Sequence, residues 1–246
     1  MSATSSVLFQ PRPAPRTSAL DTPELLNAFA AQLLRSPPKP IGLSACVGYL
    51  QEPLALLPTR LLAVRALQTL RATLFAAPGR ETEMQLLWRE AVATACFARL
   101  VARHAGFDVA LLTGAGLLHR AGEIAALRAL ALAEQQCAQR IAGAVMDEIM
   151  AASDVGLVSR VTRSWMLPGQ MRLTIIHWRG QQDSLTRPES VALLMMAQAL
   201  ATELVHASTC PPGLVEAAAE SLRLPWSMVE CARADAMQVQ ALLTCC

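Results

Sequence analysis

The residues most able to do chemistry in this sequence are four histidines: His104, His119, His177 and His206. None belongs to a His-x-x-x-His or His-Glu-x-x-His pair, the spacing that places two metal ligands on one helix face. The sequence also lacks a Gly-x-x-x-x-Gly-Lys phosphate loop and a Gly-x-Ser-x-Gly nucleophile turn. A single histidine is more often packed or exposed than a ligand. These residues by themselves therefore predict no catalytic centre.

The composition favours helices and argues against nucleic-acid binding. Apolar residues make up 53% of the 246 residues, and aromatic residues only 4%. Alanine and leucine dominate the apolar runs, and both are strong helix formers, whereas strands favour β-branched and aromatic residues. The 21 basic and 19 acidic residues give a net charge of +2, which provides no general field to attract nucleic acid. We therefore expect an all-α protein with no nucleic-acid partner.

The cysteine pattern and the hydropathy of the sequence indicate the cellular compartment and whether the chain enters a membrane. The seven cysteines form no Cys-x-x-Cys pair, and an odd count suits neither a disulfide framework nor a zinc site. The most apolar stretch, residues 110–132, is interrupted by charged residues that include Arg120, Glu123 and Arg128. It falls short of the ~20 uninterrupted apolar residues that a membrane helix needs. We expect a cytoplasmic protein that does not enter a membrane.

Apolar periodicity predicts the main helices. A long amphipathic helix is expected from Glu81 to His104, stopped by Gly106. Others are predicted over Val109–Leu118, Gly122–Gln139 and Pro188–His206, with two last helices between Leu214 and Leu243. Residues 171–178 contain the one β-branched cluster, Thr174 to Ile176. That cluster could form a strand, but the helical context favours a helix.

The segment around His119 carries a family resemblance. Residues 114–122 read GAGLLHRAG, with small residues before the histidine and a glycine just after it. In the same order come Leu87-Trp88, Val155-Gly156, the run WMLP at residues 165–168, and Ile176-His177. Together these resemble the HDOD family, a regulatory relative of HD-domain metal phosphohydrolases, whose corresponding segment reads approximately Gly-Leu-Leu-His-Asp-Ile-Gly. The resemblance covers residues 87–201 and, more weakly, 25–77.

The resemblance implies a domain organisation. We expect an HD-domain-like helical bundle over residues 79–246, preceded by a smaller N-terminal helical lobe over residues 21–78. The boundary is placed at Pro78-Gly79. Residues 1–20 are rich in Ser, Thr, Pro and Arg and are predicted to be a disordered leader.

The resemblance also indicates where the metal ligands of catalytic relatives would fall. Those relatives bind metals with histidines and aspartates, the donors that an activated-water site needs. Their positions correspond in chain order to Glu90, His119, Arg120, Ala152, His177, Trp178 and Gln198. Arg120 stands in place of an aspartate, and a guanidinium can neither ligate a metal nor lose its charge. The resemblance therefore implies a degenerate metal site, no cofactor and no hydrolase activity.

Two roles for these residues remain open. In the first, His119 is hydrogen-bonded inside the bundle and Arg120 pairs with an acid such as Glu90 or Glu123. In the second, Arg120, His119, His177 and Trp178 line a small pocket that holds a phosphate or nucleotide without cleaving it. The six residues of this vestigial pocket are Glu90, His119, Arg120, His177, Trp178 and Gln198.

The expected function follows from the resemblance. HDOD proteins are implicated in bacterial signal transduction, so we expect a regulatory protein that contacts other signalling proteins and does not hydrolyse a substrate. Arg179-Gly180-Gln181 follows His177 without the Gly-Tyr-Pro-type loop of relatives that act on cyclic di-nucleotides. The alternatives are a metal-dependent phosphohydrolase, acting for example on a cyclic di-nucleotide, and a nucleotide sensor that does not hydrolyse.

Overall fold

The computed structural model describes residues 23–35, 39–51, 61–141, 155–179, 188–206, 213–221 and 223–245. All regular secondary structure in these ranges is helical, which confirms the predicted all-α fold class. In chain order the helices are α1 (Pro23–Leu34), α2 (Leu43–Leu50), α3 (Leu61–Leu74), α4 (Glu81–Ala105), α5 (Val109–Leu118), α6 (Ala121–Cys137), α7 (Val155–Ser164), α8 (Gly169–Arg179), α9 (Glu189–Val205), α10 (Leu214–Ser221), α11 (Trp226–Ala234) and α12 (Ala236–Cys245). The leader predicted at residues 1–20 and Ala152 lie outside the described residues.

Helix α4 is the centre of the core. It packs against α5 and α9, and it buries large side chains such as Trp88 and Phe97. Gly106 ends it with φ 68°, a left-handed conformation that glycine adopts without a steric penalty. The predicted helix from Glu81 to His104 is thus confirmed, with its glycine stop. Among the described helices, none combines the length and hydropathy needed to cross a membrane.

Helices α4 and α5 approach closely because α5 carries Gly116. A Cβ atom at residue 116 would lie 2.7 Å from Cα of Ala95 and 2.9 Å from its backbone nitrogen. Asp108 fixes the start of α5, since its side chain accepts a hydrogen bond from the Leu111 N–H at 2.9 Å. The close contact at Gly116 places the end of α5, and the His119-Arg120 turn that follows it, against α4.

The helices before residue 78 contact those after it. Helix α1 packs on α6, and α2 packs on α3 and α5. Arg128 of α6 donates to the carbonyl oxygens of Thr73, Leu74 and Ala76 at 3.0, 3.0 and 2.8 Å, which satisfies acceptors at the end of α3. The division into a lobe at residues 21–78 and a bundle at residues 79–246 stays a prediction.

The C-terminal region contains three helices where the sequence predicted two. Between Leu214 and Leu243 the structure forms α10, α11 and most of α12. Pro225 has no N–H to continue the helical hydrogen bonds and instead stands at the start of α11. Asp235 ends α11, and the next helix begins at Ala236. No glycine or proline marks the single-residue break at Asp235. The apolar pattern of α11 and α12 therefore predicts one continuous helix.

The β-branched cluster forms helix α8, as the context predicted. Ile175 is completely buried in the core, and Thr174 donates its hydroxyl to the Gln170 carbonyl oxygen at 2.9 Å. The Thr174 hydroxyl also lies 2.9 Å from that of Ser190 in α9. Packing against the neighbouring helices outweighs the strand preference of these residues.

Candidate functional site

A cleft of about 380 Å³ lies where α4, α8, α9 and the start of α6 meet. It is lined by Glu90, Arg120, Glu123, Trp178, Met195, Gln198, Thr202 and His206. The sequence predicted four of these residues as pocket members: Glu90, Arg120, Trp178 and Gln198. The volume lies within the range of small-ligand sites, which is about 300–1,000 Å³.

Arg120 stands between two carboxylates. One of its terminal nitrogens pairs with Glu90 of α4, and the other pairs with Glu123 in the first turn of α6. Glu123 can reach Arg120 because residues three apart share a helix face. Arg120 is 26% exposed, whereas the side chain of Glu123 is only 5% exposed. Arg120 therefore pairs with both of the acids, Glu90 and Glu123, that the sequence suggested as its partners.

His206 joins the cluster from the other side of Glu90. It is the residue after α9, and its Nε2 lies 2.5 Å from Oε1 of Glu90. Its backbone N–H donates to the Thr202 carbonyl oxygen at 2.8 Å, which holds it at the end of the helix. Sequence reasoning gave His206 no role, because 116 positions separate it from Glu90 and no motif links them.

His119 lies beneath the cleft. Its side chain is 1% exposed, and Nδ1 lies 2.8 Å from the Gly116 carbonyl oxygen. Since a carbonyl oxygen only accepts, Nδ1 carries the proton in this contact. The ring meets Trp178 edge to face, with 4.7 Å between centroids and 85° between planes. His119 is thus hydrogen-bonded inside the bundle, as the first of the two interpretations predicted.

The remaining predicted residues fall in different places. Gln198 lines the cleft one turn before Thr202, and its amide nitrogen lies 3.4 Å from the Thr202 hydroxyl. His177 does not join them. It lines a separate cleft with Leu173 and Thr174, because neighbours on a helix point about 100° apart.

The charges of the cleft bear on what it can bind. Among its described lining residues, Glu90 and Glu123 carry two negative charges and Arg120 one positive charge. One guanidinium between two carboxylates gives the cleft no excess of fixed positive charge to attract a phosphate. The donors of Arg120 already point at carboxylates. The pocket for an anionic ligand stays a prediction, and this arrangement gives it no support.

The same residues do not fit a metal centre. Across the ranges that the structure describes, no three His, Cys, Asp or Glu side chains are grouped so that they could hold a metal ion. Arg120 occupies the space between the two carboxylates, and its fixed positive charge would repel a cation there.

Comparison with known sequences decides the family. The HDOD domain model matches residues 42–180, more than half of the chain. The chain belongs to the HDOD family. The resemblance inferred from the residues around His119 is therefore confirmed. Searches of curated proteins and of solved structures gave no match.

The HDOD match runs from α2 to the end of α8 and contains half of the residues that line the cleft. Glu90, Arg120, Glu123 and Trp178 fall inside it, whereas the α9 side of the cleft falls outside. His206 therefore reaches an HDOD residue, Glu90, from beyond the matched region.

Proposed function

We propose that this HDOD protein is a regulatory component of bacterial signal transduction that acts through contacts with other signalling proteins and hydrolyses no substrate. The observation that supports this proposal is the double ion pair of Arg120 with Glu90 and Glu123. We place the protein in the cytoplasm, because its cysteine pattern suits a reducing compartment.

The ion pairs bear on hydrolysis through simple electrostatics. A metal-dependent phosphohydrolase needs a bound cation to activate water and to neutralise the phosphate. In this cleft the two carboxylates that could bind such a cation, Glu90 and Glu123, are both paired with the guanidinium of Arg120, which cannot be deprotonated in a protein. A side chain of the protein thus supplies the charge that a metal would supply in a catalytic relative.

Metal content and turnover test the absence of hydrolysis. The full-length protein is incubated with Mn²⁺, Fe²⁺ or Zn²⁺, desalted and measured by atomic emission. It is then assayed on bis(p-nitrophenyl) phosphate and on a cyclic di-nucleotide. We expect less than stoichiometric metal and no turnover above buffer. Stoichiometric metal with turnover would establish the phosphohydrolase instead.

The variant Arg120→Asp is the matched positive control for this assay. It replaces the blocking cation with a carboxylate beside Glu90, Glu123 and His206. If the guanidinium is what prevents metal binding, this variant binds more metal than the wild type under the same loading. An equal, negligible metal content in both proteins would mean that Arg120 is not the reason.

The contact role is tested by affinity purification from the protein's own cells. We expect a specific partner that survives washing at high salt and recovers this protein when the partner itself is tagged. The same tag on an unrelated protein is the control. Failure to recover any reciprocal partner would remove the contact role.

A further inference from the structure

Two further clefts share lining residues and join into one groove. The first, about 500 Å³, lies between α8 and the start of α9 and contains Leu173 and Val191. The second, about 690 Å³, lies between α2 and the start of α8 and contains Val47. Asp108, Leu111 and Gln170 line both clefts, so the two are continuous. We call the combined feature the Asp108 groove.

The floor of the Asp108 groove is apolar. Val47, Leu111, Met171 and Val191 are buried beneath it. Leu173 is different, since it lines the groove but is 50% exposed. Together, the half-exposed side chain of Leu173 and the apolar floor form an exposed apolar patch, and such patches mark sites where a partner binds. An elongated groove suits a peptide or helix better than a compact ligand.

The charges of the Asp108 groove are of one sign. Asp108 and Glu189 are both exposed and both line it, and no lysine or arginine is among the described residues of the two clefts. His177 also lines the groove. The side chain of Asp108 remains an acceptor for the Leu111 N–H, so its carboxylate is fixed at the centre. Such a surface attracts a basic segment and repels an acidic one.

We propose that the Asp108 groove binds an apolar segment of a partner protein that carries arginine or lysine beside its apolar residues. This inference rests on the proposed function, because it names the surface and the kind of partner through which that function operates. The apolar side chains of the segment cover Leu173 and the floor, and its cationic groups lie against Asp108 and Glu189. The groove shares no lining residue with the cleft around Arg120.

Photo-cross-linking of the full-length protein in its own cells tests the groove. p-Benzoylphenylalanine replaces Gly48 at one end of the groove and, in a second protein, Leu173 at the other. Both positions are exposed, and a side chain at residue 48 would meet no atom within 4 Å of its Cβ. Replacement of Met237, which is 81% exposed and lies on α12, is the matched control.

We expect both groove positions, and not position 237, to cross-link to one segment of one partner. That segment is expected to be apolar and to contain arginine or lysine. Glu189→Lys should reduce the cross-link from residue 173 at least several-fold, and Glu189→Gln should reduce it less. Thermal unfolding of each variant checks that the fold is unchanged.

Other results separate the groove from the proposed function. A cross-link to this chain itself, to a second copy or to an acidic segment would overturn the inference by naming a different occupant. A different result is a reciprocal partner that is recovered by affinity purification without any cross-link from residues 48 and 173. That result would show that the Asp108 groove is not the binding surface, and the proposed contact role would still hold. Absence of a partner in both experiments would remove both.

Discussion

Arg120 forms an ion pair with Glu90, thirty positions earlier in the chain, while its second terminal nitrogen pairs with Glu123. Arg120→Met would remove the positive charge from two carboxylates that are largely shielded from water. We expect the free energy of unfolding to fall by about 2 kcal/mol, less than for a fully buried pair because Arg120 is 26% exposed. Urea denaturation followed by circular dichroism measures this change.

A second substitution shows whether the loss comes from charge. In the Arg120→Met background, Glu90→Gln removes one of the two carboxylates left without their guanidinium, so it should restore part of the stability. In the wild-type background the same change should be destabilising, because it deprives Arg120 and His206 of a partner. Equal effects of Glu90→Gln in both backgrounds would show that these residues are not energetically coupled.

Replacing either of two helix glycines by alanine is expected to change stability, but in opposite directions. Gly116→Ala places a methyl group against the backbone of Ala95, which cannot move aside without separating α4 from α5. We expect it to lower the free energy of unfolding by about 2 kcal/mol. Gly48 lies on the exposed face of α2, and no atom lies within 4 Å of the position that a methyl group would take there. Gly48→Ala should therefore stabilise the protein by about 0.5 kcal/mol through the helix preference of alanine.

The Gly116 prediction needs only thermal and chemical denaturation of the two variants side by side. Equal stabilities for Gly116→Ala and Gly48→Ala would show that the close contact of α4 with α5 relaxes at no cost. The His119-Arg120 turn would then be free of the constraint that we assign to Gly116.

Arg80 and Glu134 form the most buried ion pair among the described residues, with 5% and 9% of their side chains exposed. Burial lowers the pKa of Arg80, but hydrogen bonds to Glu134 and Glu83 outweigh it and raise the pKa above its ordinary value. Glu134 also accepts from the Ile141 N–H at 2.7 Å. Arg80→Met would leave that carboxylate without its cation, so we expect a loss of about 3 kcal/mol in the free energy of unfolding.

Glu83→Gln is the control for the Arg80 prediction. Glu83 pairs with the same guanidinium at 3.0 Å, but its side chain is 40% exposed. An ion pair so accessible to water contributes about 0.5 kcal/mol. If Glu83→Gln costs as much as Arg80→Met, burial is not what gives the Arg80–Glu134 pair its energy.

The helices were predictable because their signals are local. The stop at Gly106 and the apolar period between Glu81 and His104 each depend on neighbours within one or two turns. The break at Asp235 was missed because aspartate in a turn differs little, in sequence, from aspartate on an exposed helix face. Local pattern therefore fixes where most helices lie but misses breaks made by ordinary residues.

The candidate site was only partly predictable because its contacts are distant in the sequence. Family resemblance picked out Glu90 and Arg120, and charge alone suggested that they pair. Nothing in the sequence connects His206 to Glu90, since that contact depends on how α9 lies against α4. Resemblance also grouped His177 with Trp178, whereas the helix separates them onto two clefts. Side-chain direction within a helix required the structure.

Arg99 is a buried cation on α4 whose removal we expect to stabilise the protein. It is 3% exposed, and its Nε and Nη1 atoms have no hydrogen-bond partner among the described residues. Burial, and then the nearby charge of Arg103, lower its pKa. Arg99→Met keeps most of the volume and removes the desolvated charge, so the free energy of unfolding should rise by about 1 kcal/mol. Arg103→Met, one turn further along, is the control, and it should be slightly destabilising because Arg103 donates to the Gln51 carbonyl oxygen at 2.7 Å. A loss of stability in Arg99→Met larger than that in Arg103→Met would mean that the attraction between Arg99 and the nearby carboxylate of Asp235 outweighs the cost of burying the guanidinium.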